Sequence, residues 1–209
     1  PDADNEKIFS MELGYGFRGE KFAANVNLYR TLWKDRFLSQ RFESQAGSNF
    51  YASILGVNAL HQGIEIDFTY KPLDNLSFYG MLSIGDWEWQ NDLVDVPVFD
   101  ENQEEVGKVD LFIKGLKVSD AAQTTFALGA DYELFEGFKV GADYNYYANL
   151  FANYDPTGRG DVAKKGIQPW KVPAYGLVDA NVRYNFNIGQ FDATIFGNII
   201  NLFDTEYIS

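Results

Sequence analysis

Few residues in this sequence combine chemical reactivity with a useful spacing. Gly14, Gly16 and Gly19 spell G-x-G-x-x-G, a pattern that can bring backbone N–H groups against a pyrophosphate when a strand precedes it and a helix opens on it. Here residues alternate apolar and polar on both sides, so the glycines read as small positions on a strand face plus a turn glycine. Asp100-Glu101-Asn102-Gln103-Glu104-Glu105 begins like a calcium loop, with Asp86, Glu88, Asp92, Asp95 and Asp110 nearby. The sixth position, which needs Gly for the sharp turn, is Glu105, and the twelfth is Leu111 rather than Glu. A solvated acidic loop is the expectation, and whether 86–110 takes calcium stays open.

His61 is the only histidine and there is no cysteine, which excludes multi-His metal sites, thiolate sites and disulfides. Glu65 and Asp67 fall on one strand face about 7 Å apart, yet nothing beside them completes an acid–base pair. Neither an enzyme nor a cofactor is expected. A net charge of -13 offers no basic stripe for phosphates, so nucleic acid is not a partner. Aromatic side chains remain. Trp87 and Trp89 open the acidic segment, Tyr147 and Tyr154 follow a later strand, and Trp170 precedes another. Such rings stack on sugar faces or aromatic chelates, or anchor loops and membrane interfaces. Trp87, Trp89, Tyr147, Tyr154 and Trp170 are the candidate ligand contacts.

The elements that must position them follow a period of two. One face carries Phe9, Met11, Leu13, Tyr15 and Phe17 against Ser10, Glu12, Gly14 and Gly16. The next run sets Phe22, Ala24, Val26 and Leu28 against Asn25, Asn27, Tyr29 and Thr31. Similar alternation covers 64–71, 76–85, 125–132, 138–146, 178–186 and 191–199, giving about eight antiparallel strands in four hairpins. Short turns (18–21, 72–75, 135–137, 187–190) alternate with long loops (about 38–53, 87–122 and 152–173). The runs of about 10 to 16 residues match the 9–11 that cross a bilayer, rather than the roughly 5–6 of soluble strands. Mean hydropathy is -0.26 and no run approaches 18 apolar residues, so membrane helices are excluded while a barrel is not. A soluble β-sandwich is the competing reading, but its turns would not separate into two length classes.

Aromatics at strand ends (Phe17, Phe22, Tyr70, Phe78, Tyr132, Phe138, Tyr184, Phe191) suit an interfacial girdle. The inward parity carries Glu12, Glu65, Asp67, Asp131, Glu133, Asp143, Asp179 and Asp192 against Lys71, Lys139 and Arg183. That surplus is costly in a small closed lumen. It suits a wide lumen, or one filled by a basic domain. No signal peptide is visible and Pro1 is not a natural start, so an incomplete segment of a larger barrel is expected.

Val172-Pro173-Ala174-Tyr175-Gly176-Leu177-Val178-Asp179, then Gly197-Asn198-Ile199-Ile200-Asn201-Leu202-Phe203-Asp204 with Glu206-Tyr207, resembles the C-terminal signature of TonB-dependent outer-membrane receptors. Asn58–Glu65 and Gly80–Trp87 are similar to segments of those receptors that also carry an N-terminal carboxypeptidase-regulatory-like domain. The resemblance implies an all-β antiparallel barrel of about 22 strands in the bacterial outer membrane with a plugged lumen. Residues 1–209 would then be a partial barrel domain of roughly strands 14 to 21, without plug or last strand. It further implies import of a scarce ligand such as a siderophore or oligosaccharide. The implied partners are outer-membrane lipid, the receptor's own plug, an inner-membrane energy-coupling protein acting through that plug, and a surface lipoprotein. The alternative is a stand-alone small barrel serving as an anchor or adhesin.

Overall fold

The computed structural model describes residues 5–43, 49–119, 121–154 and 158–208. The strands are β1 Lys7–Arg18, β2 Phe22–Glu43, β3 Asn49–Leu73, β4 Leu76–Trp89, β5 Leu93–Phe99, β6 Glu105–Leu111, β7 Thr124–Phe135, β8 Phe138–Ala148, β9 Tyr175–Ile188 and β10 Phe191–Ile199. They form one antiparallel sheet in the order β1-β2-β3-β4-β7-β8-β9-β10, with β5 paired to β3 and β6. The sheet is not closed: among the described residues β1 pairs only with β2, and β10 only with β9. A single-turn 3-10 helix, Val162–Lys164, sits in the loop before β9 with Asp161 as its N-cap.

The eight expected strands are all present, and the register keeps the expected faces. Asn27 stands opposite Gly14 on β1 and Glu65 on β3, and Glu65 in turn stands opposite Ser83. Asp143 faces Gly129 on one side and Asp179 on the other. The aromatic ends pair in two groups beside the short turns. Phe22 lies 6.2 Å from Phe17 and 6.4 Å from Tyr70, Tyr70 lies 6.5 Å from Phe78, and Phe138 stands 6.0 Å from Tyr184. Ring pairs at these separations bury one another's edges where lipid meets water.

Two long loops require correction. The segment expected as loop from 38 to 53 is mostly strand: β2 and β3 stay paired from Leu38↔Ile54 out to Glu43↔Asn49, and its Gln/Ser-rich tip, 44–48, lies outside the described residues. At about 3.3 Å per residue, 22 residues span roughly 70 Å, more than twice a hydrocarbon core of about 30 Å. The hairpin therefore projects far beyond the membrane. Likewise the acidic stretch 87–122 contains the hairpin β5–β6, making ten strands among the described residues rather than eight. Its strands are 7 residues each, and their charged residues hide the period that longer runs display.

The buried core lies outside the membrane rather than within it. Ala52, Ile54, Val57, Ala59, Trp89, Val96, Leu111, Ile113, Leu116 and Tyr154 form one cluster, flanked by Leu38, Leu93, Val109 and Val118. Within the membrane a wall one sheet thick turns one face to lipid and the other to the lumen. Its apolar side chains stay exposed, as Leu13 and Tyr15 do. Above the membrane, β5–β6 and the segment 112–118 fold over the inward face of the β2–β3 projection and seal a small core. The chain is a membrane wall carrying a folded cap.

Candidate functional site

The inward side chains at the outer end of the wall build the mouth of the lumen. Trp87 continues the inward parity of β4, and its indole Nε1 donates to the Tyr29 hydroxyl at 2.8 Å across β3. The two rings meet only because Gly63 and Gly85 lie beneath them. A Cβ on Gly63 would stand 2.6 Å from the Tyr29 hydroxyl and 2.5 Å from the Ile84 carbonyl oxygen. The glycines are there for close approach, not for a turn. Gln123, 2% exposed, fixes the Trp87 backbone: its Oε1 accepts from Trp87 N at 2.9 Å and its Nε2 donates to Trp87 O at 3.1 Å. The His61 ring lies 5.5 Å from the Trp87 ring.

Trp89, one strand repeat further out, is 5% exposed, and the ring of Tyr154, 4% exposed, meets it edge-on at 6.4 Å. Both rings are packed into the cap core. Tyr147 and Trp170 occur elsewhere, beside a hollow of about 470 Å³ that Leu150, Val172 and Ile208 also line. Tyr147 stacks on Tyr175 at 5.1 Å, and Tyr175 stacks on Tyr207 at 4.5 Å. Trp170 is 56% exposed. The five aromatic candidates thus divide into an outer pair in the cap core (Trp89, Tyr154), a rim residue (Trp87) and a distant pair (Tyr147, Trp170).

The acidic residues of the cap pair separately. Lys117 Nζ donates to both Asp86 and Glu88, the latter at 2.8 Å. Lys165 meets Asp92 at 2.6 Å, and Asp110 Oδ1 accepts from Asp95 N at 3.0 Å. Asp100 spends its carboxylate on the hairpin tip, accepting from Asn102 N at 2.8 Å and Glu104 N at 2.9 Å. Among the described residues no three His, Cys, Asp or Glu side chains converge to hold a metal.

Deeper in the lumen, neutral donors satisfy much of the acidic face. Asp67 accepts from Asn25 at 2.8 Å, Asp143 from the Tyr79 hydroxyl at 2.7 Å, and Asp179 from Asn201 N at 2.8 Å. Asn201 also ties its own loop, donating to Thr205 O at 3.0 Å and accepting from Thr205 N at 2.9 Å. The Asn-Leu-Phe-Asp signature is therefore a side-chain-locked turn at the outer end of β10. The sequence did not single out Tyr29, Arg36, Gln123 or Asn201 as site residues. Only Asn201 carried a signal, through the resemblance segment it belongs to.

An antiparallel wall with lipid-facing and lumen-facing parities, short turns on one side and a folded cap on the other, defines an outer-membrane β-barrel. The sequence profile of the family described as TonB dependent receptor-like, beta-barrel, matches residues 1–202, and the chain belongs to that family. Such barrels reside in the bacterial outer membrane and serve as receptors and transporters rather than enzymes. Among curated proteins nothing matches significantly. Among solved structures the chain is similar to the copper transporter OprC (TM-score 0.68, 18% identity, 99% of this chain and 28% of that one). It is also similar to the ferric citrate transporter FecA in its unliganded form (0.67, 20%, 97% and 27%). A third likeness is to the FrpB iron transporter from Neisseria meningitidis (0.62, 14%, 99% and 28%). At these identities the likeness shows the fold, and the chain spans little more than a quarter of each of these receptors.

Proposed function

We propose that the chain supplies roughly eight of the about 22 strands of a TonB-dependent importer, and that its cap forms part of the entry through which a scarce, metal-bearing chelate reaches the lumen. The observation that carries this reading is the cap. Beside a core sealed over the inward face, Gln123 and the Tyr29 hydroxyl fix Trp87, with the His61 ring next to it. A pre-organised entry loses less entropy on binding than a floppy loop would. The names of the similar structures, which are copper, ferric citrate and iron transporters, support a metal chelate over an oligosaccharide. Trp87 at the rim, and Tyr147 with Trp170 beside their hollow, are the aromatic surfaces open to such a ligand.

The partners of this function are lipid along the apolar face, a plug within the lumen, and an inner-membrane coupling protein acting through the plug. A surface lipoprotein would dock over the exposed 162–170 segment, where Val162, Ile167 and Trp170 are each more than half exposed. The test is uptake of radiolabelled ferric and cupric chelates by cells expressing the full-length receptor, with and without the inner-membrane proton gradient. Gradient-dependent uptake that falls when residues 93–111 are replaced by a short Gly/Ser linker is expected. Absence of gradient-dependent uptake across a panel of chelates would refute the reading.

A further inference from the structure

The pairing of β2 with β3 is interrupted once, and the interruption re-aims a single arginine. The register steps from Trp33↔Ala59 to Arg36↔Val57 and then to Leu38↔Ile54, a double irregularity just outside the membrane-spanning part of the hairpin. Asp35 within it has φ 57° and Gly56 opposite has φ 77°. Left-handed backbone at an aspartate costs energy and persists only where its surroundings over-determine it. They do so here. Lys7 Nζ meets the Asp35 carboxylate at 3.0 Å, Asp35 N donates to Asn58 Oδ1 at 3.0 Å, Asn58 N donates to Asn91 Oδ1 at 2.8 Å, and Asn91 Nδ2 donates to Gly56 O at 2.9 Å.

This bulge turns Arg36 to the inward side, where the carbon of its guanidinium lies 4.1 Å from the centre of the Trp33 ring and 5.4 Å from that of Trp89. Held between two indoles, the guanidinium keeps only its N–H edge for other partners. Among the described residues that edge donates no hydrogen bond and forms no ion pair. Glu6, the acid that influences Arg36 most, already accepts from Trp33 Nε1 and Phe37 N, both at 3.0 Å. The edge of this half-buried cation is open to an anion with two oxygens.

A second group in the same place lacks a partner. The Tyr154 hydroxyl is buried and has no hydrogen-bond partner among the described residues. Burial pushes its pKa to about 12, so it is a proton donor at every physiological pH. Tyr154, Arg36, Trp33, His61 and Asn153 line one recess of about 250 Å³. That is below the roughly 300–1,000 Å³ of a pocket for a drug-sized molecule. The recess admits a headgroup, not a whole chelate.

We infer that this recess binds a carboxylate of the incoming ligand, with the Arg36 edge taking its two oxygens and the Tyr154 hydroxyl donating to one of them. The inference rests on the importer reading. A carboxylate is proposed because a planar oxyanion matches a planar guanidinium edge bidentately, and phosphate, which Arg also binds, is the competing arm of the test.

The test uses the full-length receptor purified in detergent, titrated with metal-free citrate and separately with inorganic phosphate, while following tryptophan fluorescence. Saturable quenching by citrate, with phosphate the weaker, is expected. Arg36→Ala should weaken citrate by about 10- to 100-fold and Tyr154→Phe by a few-fold, with Arg36→Lys in between. Should Arg36→Ala fail to fold, the Lys and Phe variants still read the site. Unchanged citrate affinity in the folded variants, or no saturable response in the wild type, would overturn the site, and tighter phosphate would overturn the carboxylate assignment. Binding is read without an energised membrane. Intact binding with no uptake would sink the importer and leave the site, whereas uptake without this binding would do the reverse.

Discussion

Replacing Leu111 by alanine tests whether the cap is a cooperative unit or a set of loops resting on a wall. Leu111 is 0% exposed at the end of β6, packed in the cluster that also holds Ile54, Ile113 and Leu116. A buried Leu→Ala change costs about 2–5 kcal/mol, the lost transfer energy plus the cavity left behind. Taking about 3 kcal/mol, the fraction of molecules with an open cap should rise roughly a hundred-fold. The β7–β8 part of the wall should not respond, because neither strand contributes a residue to this cluster. The reporters are the amides that close the cap onto β4: Trp89 N donates to Leu116 O at 2.9 Å and Gly115 N to Trp89 O at 2.8 Å. In Leu111→Ala, hydrogen exchange at these two amides should accelerate about a hundred-fold, while exchange in β7 and β8 stays at the wild-type rate. Val94→Ala on the same hairpin, 67% exposed, should change neither by more than a few-fold. Equal acceleration across cap and wall would refute the separation of the two, and no acceleration at Trp89 and Gly115 would refute the core.

Other consequences are narrower. Gly63→Ala places a Cβ 2.5 Å from a backbone carbonyl oxygen that cannot swing away; the barrel should reach the outer membrane in reduced amount, measured by heat-modifiable migration, with Gly107→Ala, which meets nothing, as the neutral control. Burial opposes ionisation of Asp92, but the Lys165 ammonium and the Lys114 N–H prevail and hold its pKa below the ordinary 3.8; its contribution to the cap is therefore complete above that value and lost as pH falls below it toward the depressed folded value. Protease sensitivity of the 158–168 segment should rise only in that acid window, and Asp92→Asn should abolish the pH step; a step near pH 6 would contradict the assignment. Glu12 and Glu65 face the lumen with no ion pair among the described residues, so the plug surface opposite them should carry Lys or Arg. Charge reversal of those plug residues should lower barrel stability and Glu65→Lys should restore it, whereas an acidic plug face would refute the account.

The membrane wall was legible in the sequence because the bilayer imposes a strict rule on it. Alternate side chains must be apolar over ten residues, and turns must be short on one side. Phe22 to Leu28 and Phe138 to Tyr146 obey it, and Arg30 is where the first of these runs departs from it. Outside the membrane no such rule applies. Ala52, Ile54, Val57 and Ala59 face one core, but the bulge at Gly56 shifts the parity midway, so the stretch reads as irregular. The aromatic candidates were identified by residue type, and type does not separate a ring packed in a core (Trp89) from one open to solvent (Trp170).

Arg36 shows the limit most clearly. In sequence it sits in Trp33-Lys34-Asp35-Arg36, an ordinary charged stretch at a strand end. Its role depends on a left-handed aspartate, on Asn58 from β3, and on Trp89 and Asn91 from the end of β4 and just beyond it. No local pattern encodes that convergence. A bulge in an otherwise regular ladder is where a barrel can turn a lipid-side position inward without breaking its wall. The strain at Asp35 therefore has a use: it brings a cation to the mouth of the lumen, where regular pairing would have pointed it away.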